Sequence, residues 1–101
     1  MTEAEALVVL NALAQSTRLK VYLLLAGHPD AMPSGDVADA VGIPRNLMSA
    51  HLAILSKAGL IAASKSGREV RYAIKRPVLR ELSDFLRTID EGSRRNGADA
   101  C

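Results

Sequence analysis

Cysteine is almost missing from this sequence, whose single Cys is the last of 101 residues. One thiol excludes an internal disulfide and a cysteine-based metal cluster within one chain. Tryptophan is absent and aromatic residues make up 3%, so we expect a core of aliphatic side chains, mostly on helices. Long uncharged apolar runs are also missing, and the chain starts with Glu3 and Glu5 rather than a basic segment. We therefore expect one cytoplasmic domain without a signal peptide, membrane span or membrane partner.

The residue patterns of common enzymes are missing as well. The sequence contains no Gly-rich phosphate loop, no Ser/His/Asp or Cys/His arrangement and no carboxylate pair that spacing identifies. We predict that the chain is not an enzyme, has no catalytic residues and needs no cofactor.

Charge is distributed unevenly along the chain, although the net charge is only +2. Residues 1–44 hold two Lys/Arg against five Asp/Glu, and residues 81–101 hold three against five. Residues 45–80 hold eight Lys/Arg against Glu69 alone, a net +7. A basic middle segment indicates an anionic partner, most often nucleic acid.

The chain opens with a capping box, Thr2 followed three residues later by Glu5, which predicts a helix to about Ala14. This helix is apolar almost all round, so we expect a second subunit to cover one side of it. Ser16 is predicted to cap a second helix over 17–26, which Gly27 ends, before a loop over 28–33.

Residues 34–59 predict a helix-turn-helix. Ser34 is a candidate N-cap for a short helix over 35–41, which Gly42 ends, and a second helix follows over 44–57. Its inner face is predicted to be Met48, Leu52 and Leu55. The opposite face carries Asn46, Ala50, Ala53 and Lys57. Taken alone, that face is compatible with a plain solvated surface or with the floor of a DNA groove.

Two strands, over 60–64 and 70–74, are predicted after this helix, with the basic tip Lys65-Ser-Gly-Arg-Glu69 between them. Pro77 opens a last helix with an apolar stripe, and residues 92–101 have no periodicity. We predict a mostly α winged helix-turn-helix domain over 1–91 (α1-α2-α3-α4-β1-β2-α5) and a mobile tail over 92–101.

These residues resemble the ArsR/SmtB winged-helix repressors. The likeness lies in Leu10-Asn-Ala-Leu-Ala-Gln-Ser-Thr-Arg-Leu19, in the stretch 42–60 with its "S-x-H-L-x-x-L-x-x-A-G-L" pattern, and in Gly67-Arg68 followed by Tyr72. The resemblance implies a homodimer built on the first and last helices that represses transcription from an operator in double-stranded DNA; the two-fold symmetry of such a dimer predicts an inverted repeat. Carried over by position, it implies DNA contacts on helix 44–57 at Pro44, Arg45, Asn46, Leu47, Ser49, Ala50 and His51. The outer face of that helix adds Lys57, and the basic tip of wing 64–70 adds Lys65 and Arg68. The dimer interface is predicted at Leu7, Leu10, Val78, Leu82, Phe85, Leu86 and Ile89.

The sensing sites of that family are not matched. One family site uses cysteines where this chain has residues 34–40, another uses Asp and His on the last helix, and a third has a Cys-Cys pair where Asp90-Glu91 stand here. Trivalent arsenic needs about three thiolates and zinc about four ligands, so we predict no family-type metal site. The inducer stays unknown. Two alternatives remain: a winged helix that binds protein rather than DNA, and a repressor that senses thiol oxidation or a metalloid through Cys101.

Overall fold

The computed structural model describes residues 1–100, with side chains described for residues 1–92. These residues form five helices and three strands. The helices are α1 (Glu3–Leu13), α2 (Ser16–Gly27), α3 (Ser34–Val41), α4 (Arg45–Lys57) and α5 (Pro77–Ala100). The strands are β1 (Met32–Pro33), β2 (Ile61–Ser66) and β3 (Glu69–Ile74). This order confirms the predicted winged helix-turn-helix, with β1 as an additional strand. The predicted mobile tail over 92–101 stays a prediction, because side chains are described only as far as residue 92.

The start of α1 follows the capping-box prediction. The Thr2 N–H donates to Glu5 Oε1 at 2.8 Å, and the Glu5 N–H donates to Thr2 Oγ1 at 3.1 Å. Hydrogen bonding of the Glu5 carboxylate to Thr2, above all to its backbone N–H, lowers the pKa of Glu5. The first turn of α1 is therefore closed by the residues that the sequence indicates.

The starts of α2 and α3 differ from the predictions. Ser16 is the first residue of α2 rather than its cap, because the Gln15 side chain accepts from the Arg18 N–H at 2.9 Å. Ser34 is likewise the first residue of α3, after the extended residue Pro33, and makes no side-chain capping bond. Both corrections move a helix start by one residue and leave the helix order unchanged.

The small sheet has the strand order β1-β3-β2 and is antiparallel throughout. The predicted loop over 28–33 ends in β1, where Met32 pairs with Tyr72. In the hairpin, Ile61 pairs with Ile74 and Ser66 pairs with Glu69, so residues 67 and 68 form its tip. The β1 pairing ties the segment before α3 to the hairpin that follows α4.

The core is aliphatic, as the composition predicts. It lies between α1, α2, α3, α4 and the start of β2, with Met32 of β1 beside it, and α5 adds Leu82. Tyr22 is its buried aromatic residue; burial raises the pKa of its phenol, whose oxygen lies 3.5 Å from the Lys75 carbonyl. The buried hydrophobic residues are Ala6, Val9, Ala12, Val21, Tyr22, Leu25, Met32, Val37, Ala38, Met48, Leu52, Leu55, Ala58, Leu60, Ile61 and Leu82. No helix in the described part of the chain is long and apolar enough to cross a membrane.

Candidate functional site

The turn between α3 and α4 is set by Gly42. Its φ of 83° is in the left-handed region, which glycine adopts without steric cost. The N–H groups of Gly42 and Ile43 both donate to the Ala38 carbonyl, at 2.8 and 3.1 Å. This closes α3, and α4 begins three residues after Gly42.

Helix α4 has one buried and one exposed face. Met48, Leu52 and Leu55 are each 0% exposed, which confirms the predicted inner face. The outer face is exposed as predicted, at Asn46, Ala50, Ala53 and Lys57. Because the inner face is fully buried, α4 is held firmly while its outer face is free to meet a flat partner.

Nine of the ten residues predicted to contact DNA are exposed. His51 is half-buried, and its Nδ1 atom is buried without a hydrogen-bond partner among the described residues. That nitrogen therefore lies against the protein, in keeping with the position of His51 beside the inner face. The exposed nine are Pro44, Arg45, Asn46, Leu47, Ser49, Ala50, Lys57, Lys65 and Arg68.

Arg45, the first residue of α4, makes an ion pair with α3 that the sequence did not indicate. Its Nη2 lies 2.8 Å from Asp39 Oδ2, and its Nε donates to Asp39 Oδ1 at 3.4 Å. These hydrogen bonds lower the pKa of Asp39 and raise the pKa of Arg45. The guanidinium also lies over Gly35, where a Cβ atom would stand 2.9 Å from Arg45 Cζ.

The hairpin tip carries two basic side chains. Gly67 has a φ of 64°, and Lys65 and Arg68 on either side of it are exposed. Within residues 1–92 neither of them forms an ion pair, whereas Arg71 lies 2.7 Å from Glu69 Oε2. Near the end of the hairpin, Lys65 on β2 and Arg68 in the turn are therefore available to an anionic partner, whereas Arg71 on β3 is paired.

Arg18, from the Thr-Arg-Leu motif, joins α1 to α2. Its Nε donates to the Ala12 carbonyl at 2.7 Å, and its Nη2 donates to the Asn11 carbonyl at 3.3 Å. These carbonyls belong to the last turn of α1, where helical donors run out; the Asn11 carbonyl also accepts from the Ala14 N–H at 3.3 Å. Arg18 thus ties the end of α1 to the start of α2.

The residues predicted to form a dimer interface divide into two groups. Leu82 is 5% exposed and belongs to the core of its own chain, and Val78 and Phe85 are half-buried against that core. The other four are exposed, at Leu7, Leu10, Leu86 and Ile89. Helix α1 therefore buries its small Ala6, Val9 and Ala12 and exposes larger aliphatic side chains.

Metal-ligating groups are sparse in the described part of the chain, where no three His, Cys, Asp or Glu side chains lie close enough to hold an ion. The Nδ1 of His28 lies 2.7 Å from the Asp30 carbonyl, a local contact in the loop before β1. Cys101 lies outside the described residues, so its predicted role as an effector site stays untested.

Comparison with known proteins identifies the family. Residues 13–62 match a helix-turn-helix domain family. The chain is 32% identical over 78 residues to the transcriptional repressor SdpR of Bacillus subtilis; the aligned part covers 77% of this chain and 84% of SdpR. It is 36% identical over 66 residues to the transcriptional repressor SmtB of Mycobacterium tuberculosis; the aligned part covers 65% of this chain and 47% of SmtB.

Solved structures agree with these sequence matches. An ArsR-like transcriptional regulator from Rhodococcus sp. RHA1 superposes with a TM-score of 0.85 at 27% identity, covering 96% of this chain and 90% of that one. The homodimeric winged helix-turn-helix DNA-binding domain of Mb0332 from Mycobacterium bovis has a TM-score of 0.69 at 28% identity, covering 91% and 84%. The chain belongs to the ArsR/SmtB family. It spans about half the length of SmtB.

Membership of the ArsR/SmtB family confirms the resemblance drawn from these three stretches of the sequence. SdpR and SmtB are named as transcriptional repressors, which are not enzymes, and this supports the prediction that the chain is not an enzyme. In this family setting, α3 and α4 are the helix-turn-helix and β2–β3 is the wing.

Proposed function

We propose that the chain is a dimeric, sequence-specific DNA-binding repressor that places α4 in the major groove and the β2–β3 tip on the adjacent backbone. The observation that carries this proposal is the division of α4 into a fully buried face and an exposed face whose middle is Ala50 and Ala53, with Leu47 and Ile54 exposed at its margin. A face of that kind approaches base edges closely, while Arg45 and Asn46 suit guanine and adenine respectively.

The wing supplies the sequence-independent part of the binding. Lys65 and Arg68 flank the turn at Gly67 and are exposed cations without ion-pair partners among the described residues. Cations at such a tip pair with phosphates, which add affinity for any sequence and position the reading helix.

The second copy is expected to cover α1 and the exposed part of α5. Leu7, Val8 and Leu10 are 60%, 55% and 40% exposed, and Leu86 and Ile89 are 46% and 49% exposed. An open groove of about 430 Å³ beside them is lined by Met1, Glu81, Asp84, Phe85, Thr88 and Ile89. To match an inverted-repeat operator, a two-fold dimer through these helices needs its two α4 helices about 34 Å apart, one turn of B-DNA.

Footprinting of the region upstream of the coding sequence with the purified chain tests this function. We expect one protected inverted repeat, and an affinity that falls steeply between about 50 and 200 mM salt because phosphate contacts release counterions. Ala50→Glu places a carboxylate on the outer face of α4 and should abolish protection. Leu23→Glu adds the same charge at a 61% exposed position of α2, outside the proposed dimer and DNA surfaces, and should leave protection unchanged. Equal behaviour of the two variants, or binding that salt does not weaken, would favour a protein-binding module instead.

A further inference from the structure

Two residues of helix α3, Gly35 and Asp39, contact the Arg45 side chain. Gly35 and Asp39 are four residues apart and so share one face of α3. The Asp39 carboxylate accepts hydrogen bonds from Nε and Nη2 of the guanidinium. Because Gly35 has no side chain, there is room for Cζ above it. Any larger residue at position 35 would displace the guanidinium.

The pairing leaves one hydrogen-bonding edge of Arg45 available. A guanidinium presents five N–H groups in a fixed fork, and Asp39 takes one from Nε and one from Nη2. The edge formed by Nη1 and the remaining Nη2 hydrogen can still donate to two acceptors that lie side by side. Guanine presents such a pair, O6 and N7, in the major groove.

Without the contacts to Asp39 and Gly35, a long and flexible arginine would be free to pair with the nearest phosphate. Phosphate contacts carry no sequence information, so they raise the affinity for every duplex. A carboxylate beside the guanidinium opposes that outcome, because it repels a phosphate and holds the fork in one orientation. The pair is exposed, with both side chains above 60% accessible, and exposed pairs add little to stability. Its contribution to folding is therefore small.

We propose that Asp39 and Gly35 are positioning residues that give Arg45 its sequence specificity, an inference that rests on the proposed DNA-binding function. They orient the guanidinium for a base edge and keep it from acting as a general phosphate contact. Neither residue touches a base in this arrangement. Their effect is on the ratio of specific to non-specific affinity.

The test compares two duplexes, one selected by the wild-type chain from a random pool and one of the same composition in shuffled order. In 0.15 M salt we expect Asp39→Asn to lower the affinity ratio by about tenfold, the effect of losing one bidentate base contact. Gly35→Ala should lower the ratio in the same direction without changing any charge. The residue at 35 has an ordinary helical φ and the displaced atoms are the end of a flexible side chain, so the fold should persist with an unchanged thermal midpoint.

Two controls separate positioning from general electrostatics. Asp36→Asn removes the same charge from the same helix. The Asp36 carboxylate attracts Arg45 only at longer range and forms no hydrogen bond to it within the described residues, so the change should raise the affinity for both duplexes alike. In an Arg45→Ala background, Asp39→Asn and Gly35→Ala should no longer change the ratio. If Asp39→Asn behaves like Asp36→Asn, or keeps its effect without Arg45, the inference is wrong.

Selection from the random pool distinguishes failure of the proposed function from failure of the positioning role. A wild-type chain that selects no sequence from the pool would overturn the proposed function, and this inference with it. A wild-type chain that selects a sequence, with both variants retaining its affinity ratio, would overturn the positioning role alone.

Discussion

Replacement of Leu7 by Ala should weaken the dimer without unfolding the chain. Leu7 lies on α1 and is 60% exposed in the single chain, so that fraction of it is available for burial by a partner. The change removes three carbon atoms, each worth about 0.8 kcal/mol when fully buried. Scaled by the exposed fraction, the loss of dimerisation free energy is about 1.4 kcal/mol per chain and about 3 kcal/mol for the two-fold dimer, which contains the change twice. The dimer dissociation constant should therefore rise by about 100-fold.

Leu23 provides a matched control for this experiment. It is 61% exposed on α2, outside the proposed interface, so Leu23→Ala removes the same atoms at the same exposure. Sedimentation equilibrium over a range of concentrations should show a dimer for wild type and Leu23→Ala, and dissociation at much higher concentration for Leu7→Ala. Equal shifts in the two variants, or a wild-type chain that is monomeric at micromolar concentration, would refute the assignment of α1 to the interface.

Three further changes test separate parts of the structure. Arg68→Gln should weaken selected and shuffled duplexes by the same factor and reduce the slope of log affinity against log salt by about one, as measured by fluorescence anisotropy. Leu52→Ala should lower the free energy of unfolding by about 2–5 kcal/mol in urea titrations, because Leu52 is fully buried, whereas Leu47→Ala at a 52% exposed site should cost far less. Gly42→Ala should cost about 1–2 kcal/mol because its φ of 83° strains a side chain, while Gly27→Ala, at the end of α2 with open space around it, should be neutral or slightly stabilising.

The inner face of α4 was predictable because helical periodicity is a local property. Met48, Leu52 and Leu55 recur at helical spacing, and burying all three on one side follows from that spacing alone. The start of α2 was less predictable, since side-chain preferences rank Ser above Gln as a cap, yet Gln15 makes the capping bond here. Local rules thus located the helix but not its first residue.

Contacts between distant segments were not predictable from local patterns. Strand β1 has two residues, one of them Pro33, and exists because Met32 pairs with Tyr72 forty residues later. The burial of Leu82 within its own chain depends on how α5 packs against the core. The Asp39–Arg45 pair depends on the angle that the Gly42 turn sets between α3 and α4. Each of these needs the tertiary arrangement, which periodicity does not supply.

In the proposed function, stability and DNA recognition belong to opposite faces of α4. The buried side of α4 carries the packing energy through fully enclosed side chains, whereas exposed residues such as Asn46 and Ala50 contribute little to the core. Substitutions at sites that share no partners act nearly independently, so changes on the outer face can alter the sequence that is read while the fold persists. Arg45 is the exception, because its side chain is tied to α3 through Asp39 and its replacement alters two helices at once. Changes in specificity that pass through Arg45 should therefore require a matching change at position 39 or 35, whereas those at Asn46 or Ala50 should not.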